Sequence, residues 1–362
     1  MQILVVGMGL IGGSICKSIK AVTEHTVYGC DVRQDVLEQA LEDGSIDGTG
    51  TMEDGAYDMI IVCLHQRIAI SLIQKALPRI KAGTILVDAC GLKGKMVRDL
   101  TYRCQKAGVF YVGTHPMAGR EKSGYAASIP NLFQGANLIV TPVEGTQEHA
   151  LQTVIGLAKE IGFGQIIQAT PMWHDNMIAY TSQLAHVVSS SYVKDFCMDD
   201  ALSFSGGSFQ DMTRVATMDE TMWAALFLDN RDNLLYHLDL LIENLTDYRD
   251  ALKQRDEERL QYLIAEGRQI QEENVRKRQE LKEGKGEAQH NGLDTGRYLY
   301  NNRSHRFAQR QIAGSGNPWM RGAGRTGLSG ISGTEGRQVG LSGGWSDGAC
   351  QLRNLHHRLS AG

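Results

Sequence analysis

Proline is scarce in this chain, 6 residues in 362, and the cysteines are scattered. Cys16, Cys30, Cys63, Cys90, Cys104, Cys197 and Cys350 form an odd set without a C-x-x-C pair. That pattern excludes a disulfide scaffold and a zinc ribbon, leaves no metal site to expect, and fits a reducing, cytoplasmic setting. No apolar run approaches the roughly 18–20 residues of a bilayer-spanning helix, so no membrane partner is expected. The opening Met1-Gln2-Ile3-Leu4-Val5-Val6 lacks the basic stretch of a secretory leader. A large charge of one sign is missing as well, since 37 Lys and Arg face 41 Asp and Glu for a net −4. At 42% hydrophobic and 22% charged residues, the composition is that of an ordinary globular protein long enough for two domains.

Glycine is the exception. Residues 283–362 hold 17 of the 41 glycines, with ten basic residues against five acidic ones. The first 282 residues therefore carry −9 and this segment +5. Hydrophobic periodicity stops near Leu281, and stretches such as Arg321-Gly322-Ala323-Gly324-Arg325 cannot bury enough apolar surface to offset chain entropy. The segment 283–362 is expected to be disordered. An out-of-frame or degenerate end, a natural flexible extension and an RNA-binding arginine-glycine segment are the three explanations. The last is disfavoured by the absence of a repeated Arg-Gly-Gly unit and of stacking aromatics, so no nucleic-acid partner is expected.

The first 169 residues read as a Rossmann-type dinucleotide-binding domain. An apolar strand at 2–6 runs into Gly7-Met8-Gly9-Leu10-Ile11-Gly12-Gly13-Ser14 and then a helix. Gly7 supplies the tight turn, Gly9 the close approach of backbone to a pyrophosphate, and Gly12 the close helix–strand packing. The amides of Leu10 and Ile11 then face the phosphate at the helix N-terminus. A second strand, 26–30, ends in Asp31, whose carboxylate suits the adenosine ribose hydroxyls and repels a 2′-phosphate. NAD is therefore expected over NADP, although Arg33 could accommodate that phosphate. Further strands are expected at 59–64, 84–88, 110–113, 137–141 and 165–168, making a mostly parallel α/β sheet. Ligands of such sheets sit at the carboxyl ends of the strands, where His65, Asp88 and His115 fall. His65 reads as a cofactor contact or a loop residue.

Residues 170–282 read as an all-helical domain, with helices at 172–194, 223–252 and 256–281. Leu234, Leu235, Leu238, Leu241 and Ile242 form a stripe too wide for a solvent-facing helix, so it is either intradomain core or a dimer interface. Three clusters carry chemistry. Thr114-His115-Pro116-Met117-Ala118-Gly119-Arg120-Glu121-Lys122 places an imidazole where a hydride-transfer enzyme needs a base. His174-Asp175 precedes Ser182 and His186, which are four apart on one helix face. Arg214, after the turn Ser205-Gly206-Gly207-Ser208, can clamp a carboxylate.

Together GMGLIGGS, THPMAGREKSG, HDNMIAYTSQLAH and GGSFQDMTRVA resemble the prephenate/arogenate dehydrogenases of tyrosine biosynthesis over residues 1–280. The resemblance implies NAD-dependent oxidative decarboxylation of prephenate to 4-hydroxyphenylpyruvate by a homodimer joined through its helical domain. It implies that His115 polarises the ring hydroxyl, that His186 contacts substrate, that Arg214 binds a substrate carboxylate and that Glu121 lies near the substrate entrance. Arg120 stands where the family commonly has a small hydroxyl residue, and could add a cation for a dianionic substrate. Gly91, in Asp88-Ala89-Cys90-Gly91-Leu92-Lys93, stands beside the cofactor where the family often has a serine that meets the catalytic histidine. Its role falls to water or Thr114, or is absent. Arogenate as substrate, a related hydroxyacid dehydrogenase or imine reductase, and a non-catalytic NAD-binding sensor are the alternatives.

Overall fold

The structure, a computed structural model, describes residues 1–282 apart from Ala56 and Glu121. The segment 283–362, expected to be disordered, lies outside the described residues. The chain begins β1 (Gln2–Val6), α1 (Leu10–Val22), β2 (Thr26–Cys30), α2 (Gln34–Glu42), β3 (Gly48–Thr49), β4 (Met59–Val62) and α3 (Gln66–Ala76). It continues β5 (Ile85–Asp88), α4 (Gly94–Lys106), β6 (Phe110–Pro116), β7 (Asn137–Val140), α5 (Glu148–Glu160) and β8 (Gln165–Gln168). The eight strands lie in the order β3-β2-β1-β4-β5-β6-β7-β8. From β1 the chain builds outward to β2 and β3, then returns to the other side of β1 as β4. That reversal opens the crevice in which ligands of parallel sheets bind.

Strict alternation explains why helices cover both faces. Ile3 and Val5 of β1, with Met59 and Ile61 of β4, point into a core shared with α1, α2 and α5. Leu4, Val6, Ile60 and Val62 point the other way, onto α3 and α4. Such strands are apolar on both sides, which is the signature of buried parallel strands.

The sheet departs from expectation at β6. Its first half pairs with β5 in parallel, while Thr114, His115 and Pro116 pair antiparallel with Val140, Ile139 and Leu138 of β7. That second partner extends the strand three residues beyond its expected end at Gly113. His115 is therefore inside a strand, held by ladder contacts, and not past one.

The helical part also differs in detail. The helix expected at 172–194 is α6 (Pro171–Ile178) and α7 (Leu184–Tyr192), joined by a five-residue π-helical turn, Ala179–Gln183. After α8 (Gly207–Thr213), the helix expected at 223–252 is two, α9 (Glu220–Asp229) and α10 (Arg231–Gln254). The break falls at buried Asn230, whose side-chain amide donates to the Asp175 carbonyl at 2.8 Å and to Gln183 Oε1 at 2.9 Å. These bonds tie the break to the α6–α7 helix. The last helix among the described residues is α11 (Glu257–Lys282). The leucine stripe divides: Leu234, Leu238 and Leu241 pack with Ala179, Leu184 and Phe227, whereas Leu235 and Ile242 are exposed. Among the described residues no helix is long and apolar enough to cross a membrane, and no group of His, Cys, Asp or Glu is placed to hold a metal.

One buried charge pair underlies the sheet's carboxyl edge. Asp88 ends β5 and Lys93 precedes α4, and both side chains are fully buried and paired. Lys93 Nζ also donates to the Thr114 carbonyl, and the Tyr111 hydroxyl donates to Asp88 Oδ2 at 2.7 Å. Lys93→Met would strand the carboxylate and should cost about 3–5 kcal/mol of folding stability. Asp88→Asn combined with Lys93→Met should recover more than half of that loss in urea unfolding. A double variant as unstable as the single one would remove the uncompensated charge as the cause.

Candidate active site

The glycine loop joins β1 to α1 in a conformation that only glycine tolerates at its first position. Gly7 has φ +93°, donates to the Cys30 carbonyl at 2.8 Å, and a Cβ there would lie 2.6 Å from the Cys63 carbonyl oxygen. A Cβ on Gly12 would lie 2.0 Å from the Gly7 carbonyl oxygen, so helix and turn touch backbone to backbone. Gly9 caps α1 without a side-chain acceptor, and a Cβ there would meet nothing within 4 Å. The Leu10 and Ile11 amides lie in the first turn of α1, where the helix itself supplies no acceptor, and the space beside Gly9 is open, as a phosphate site requires. Gly13 has a different duty that the sequence did not disclose. It makes room for Tyr125 and Ser128, with a Cβ there only 2.7 Å from the Tyr125 ring.

Asp31 follows β2 and faces the loop, its Oδ2 accepting from the Met8 amide at 2.7 Å and its Oδ1 from the Arg33 amide at 2.9 Å. The Arg33 guanidinium turns instead to Asp35, and both of those side chains are exposed. His65 caps α3 just past the end of β4; its buried Nε2, like the neighbouring Gln66 Oε1, has no hydrogen-bond partner among the described residues. Two unsatisfied buried polar atoms on the segment that abuts the Gly7 turn call for a polar ligand or water.

His115 lies on β6, which neighbours β5 and is two strands along the sheet from β4. A Cβ on Gly91 would lie 4.0 Å from His115 Nε2 and would meet no other described atom within 4 Å, so that ring nitrogen is turned toward the Gly91 position. Thr114 does not fill it: its hydroxyl is buried and donates to the Asp88 carbonyl at 2.6 Å. On its other side, His115 Nδ1 is 2.9 Å from His174 Nε2, and His174 Nδ1 is 2.8 Å from Asp175 Oδ1. Asp175 in turn accepts from the amides of Lys93 at 2.7 Å and Gly94 at 2.8 Å. It thereby caps the N-terminus of α4 from the other domain. Burial pushes the His115 imidazole well below its ordinary value, and nearby His174 and Lys93 push the same way. Burial also lowers His174, partly opposed by its bond to Asp175.

The remaining expected residues fall on the helical side or on the loop after β6. His186 bonds through Nδ1 to the Ser182 carbonyl at 2.9 Å and stacks 3.8 Å from the Trp223 ring. Ser182, in the π-turn, thus meets His186 through its backbone. Arg214 is exposed and opens a short turn, Arg214–Ala216, that packs against α7, the helix of His186. Arg120 is exposed and donates to the Ala127 carbonyl at 3.2 Å, which closes its own loop. Glu121 lies outside the described residues. The His174–Asp175 contact with His115 was not deducible from sequence, since a His-Asp pair at a helix start is unremarkable until another domain meets it.

Residues 15–167 match the family model of the prephenate dehydrogenase nucleotide-binding domain, and residues 170–266 match that of the prephenate dehydrogenase dimerization domain. A prephenate dehydrogenase of Bacillus subtilis is 31% identical over 272 residues, covering 71% of this chain and 72% of that one. The chain belongs to the prephenate dehydrogenase family. A cyclohexadienyl dehydrogenase of Zymomonas mobilis is 30% identical over 267 residues, 70% of this chain and 89% of the relative. The crystal structure of prephenate dehydrogenase from A. aeolicus, in complex with hydroxyphenyl propionate and NAD+, superposes with a TM-score of 0.66 at 28% identity. That match covers 76% of this chain and 98% of the other. As a member of the prephenate dehydrogenase family this chain is a nicotinamide-dependent oxidoreductase. The open amides of α1, the Asp31 carboxylate and the unsatisfied His65 fit such a cofactor.

The depressed histidines have a consequence for folding. The unfolded chain takes up protons at its histidines below about pH 6.5, whereas folded His115 and His174 resist them. The unfolded state then binds more protons, so stability falls as pH drops below that value. Urea midpoints should decline between pH 7.5 and pH 5.5. The decline should be smaller in His174→Phe, which removes one of the resisting groups.

Proposed function

We propose that this chain oxidatively decarboxylates prephenate to 4-hydroxyphenylpyruvate, with NAD as the hydride acceptor. The observation that carries this reading is the place of His115 at the sheet's carboxyl edge, with Nε2 turned toward the Gly91 position and burial disfavouring its protonated form. A neutral imidazole can take the proton of the ring hydroxyl as hydride leaves the same carbon. Bound NAD supplies the acceptor for that hydride. Cleavage of the ring–carboxylate bond then releases CO2, and its electron pair completes the aromatic ring. The atoms balance without another reactant: prephenate and NAD+ give 4-hydroxyphenylpyruvate, CO2 and NADH, with the proton taken by His115 returned to the phenolate oxygen that decarboxylation creates.

The other residues take supporting roles. Gly7, Gly9, Gly12 and the amides of Leu10 and Ile11 would hold the pyrophosphate. Asp31 would bond the ribose hydroxyls and disfavour a 2′-phosphate; Arg33, engaged with Asp35, supports NAD over NADP. Arg214 would clamp a substrate carboxylate, with His186 and Ser182 lining the helical wall and Arg120 on the loop at the entrance; the resemblance gives Glu121 a role near that entrance as well. Gly91 leaves the base without a hydroxyl neighbour, so His115 would act alone at Nε2. The matched dimerization domain and the exposed Leu235, Ile242 and Leu245 of α10 support a homodimer joined through the helices.

One assay tests the reading: purified protein with prephenate or arogenate, and NAD or NADP, followed at the reduced-cofactor absorbance. Prephenate with NAD should give the highest kcat/KM; a clear preference for arogenate would replace the substrate and leave the chemistry intact. His115→Asn should abolish measurable turnover while NAD binding persists. Activity should fall on the acid side only well below pH 6.5, because His115 protonates below its ordinary value.

Arg214→Ala should raise the apparent KM for prephenate by roughly 30-fold or more, as expected for loss of a charge-assisted contact of about 2–3 kcal/mol. An unchanged KM would take Arg214 out of the clamp.

A further inference from the structure

The contact chain from Asp175 through His174 to His115 decides where each proton sits. Asp175 accepts from two backbone amides, at 2.7 and 2.8 Å, and offers Oδ1 to His174 Nδ1. A carboxylate that already receives two N–H bonds is an acceptor and carries no proton to give. His174 must then hold its hydrogen on Nδ1, which makes its Nε2 a lone pair. That lone pair faces His115 Nδ1 at 2.9 Å, so His115 must also hold its hydrogen on Nδ1. The Nε2 of His115 is left as the unprotonated atom, and Nε2 is the one that faces the space beside Gly91.

We propose that His174 and Asp175 are positioning residues that lock His115 in the Nδ1–H tautomer, so that its basic lone pair always faces the reacting hydroxyl. The assignment of that hydroxyl rests on the proposed function; the tautomer itself does not. His174 is 1% exposed and belongs to the helical domain, while His115 belongs to the sheet, so the base is set only when the two domains are docked. The same line of contacts also serves the reaction. When His115 takes a proton on Nε2, its Nδ1–H bond to His174 strengthens, and the Asp175 carboxylate lies in line to stabilise the positive charge. The logic is that of an aspartate orienting a catalytic histidine, with a second imidazole interposed.

The test separates tautomer from turnover. In protein labelled with 15N-histidine, long-range 1H–15N spectra distinguish the two neutral tautomers, and the His115→Asn spectrum assigns the His115 signals. Wild-type His115 and His174 should both appear as Nδ1–H at pH 8. A wild-type His115 carrying its hydrogen on Nε2 overturns the proposal, whether or not the protein is active. In His174→Phe, which keeps ring volume, Nε2–H signal should appear for His115. In that variant kcat should fall about tenfold or more, with the NAD dissociation constant from fluorescence titration unchanged. An unaltered His115 tautomer in His174→Phe also overturns it. If wild-type protein oxidises neither prephenate nor arogenate, the functional reading fails alone, and the spectra still decide the tautomer.

Discussion

The carboxylate of Asp175 joins the sheet domain to the helical domain and orders what lies on both sides. It sits at the N-terminus of α4, where backbone amides and the helix dipole favour a negative charge. From there it holds His174, while its own carbonyl is held by Asn230. Nearby, Arg67 of α3 forms a two-pronged pair with Asp229, the residue before that asparagine. The domain boundary is therefore a set of directional polar bonds, and directional bonds tolerate little sliding. Displacement by an ångström would break the line to His115 before it disturbed either core.

On the sheet side, the same precision comes from strand pairing. β6 is gripped by parallel β5 through its first half and by antiparallel β7 through its second, so His115 has ladder partners in its own segment. Beneath it, Lys93 and Asp88 are bonded to each other and to Thr114 and Tyr111. The buried pair engages the Thr114 carbonyl and the Tyr111 hydroxyl, whereas the His115 ring bonds to His174.

How much of this could be read in the sequence follows from how local each cause is. The glycine loop was legible because backbone contacts at Gly7 and Gly12 leave no room for a side chain, and the strand before and helix after it are both within a few residues. His115 was legible as a residue near a strand end, yet its true place inside β6 depends on β7, more than twenty residues away. The break at Asn230 was invisible because asparagine neither stops nor favours a helix strongly; its bonds to Asp175 and Gln183 decide the matter. Gly13 looked like part of the nucleotide motif, and only the packed Tyr125 reveals its other duty. Thr114 was a candidate for the missing hydroxyl until its bond to the Asp88 carbonyl was seen.

The π-turn at Ala179–Gln183 lies between His174 and His186, which are twelve residues apart. In an unbroken α-helix that spacing would leave the two side chains about 120° apart around the axis. The one extra residue that a π-turn absorbs takes back about 100°, so the histidines face nearly the same way, some three turns apart along the axis. The segment Ala179-Tyr180-Thr181-Ser182-Gln183 therefore sets a phase angle by its length. Substitutions there change chemistry one residue at a time, whereas the loss of a single residue would turn everything from His186 onward by more than a quarter of a revolution relative to the sheet.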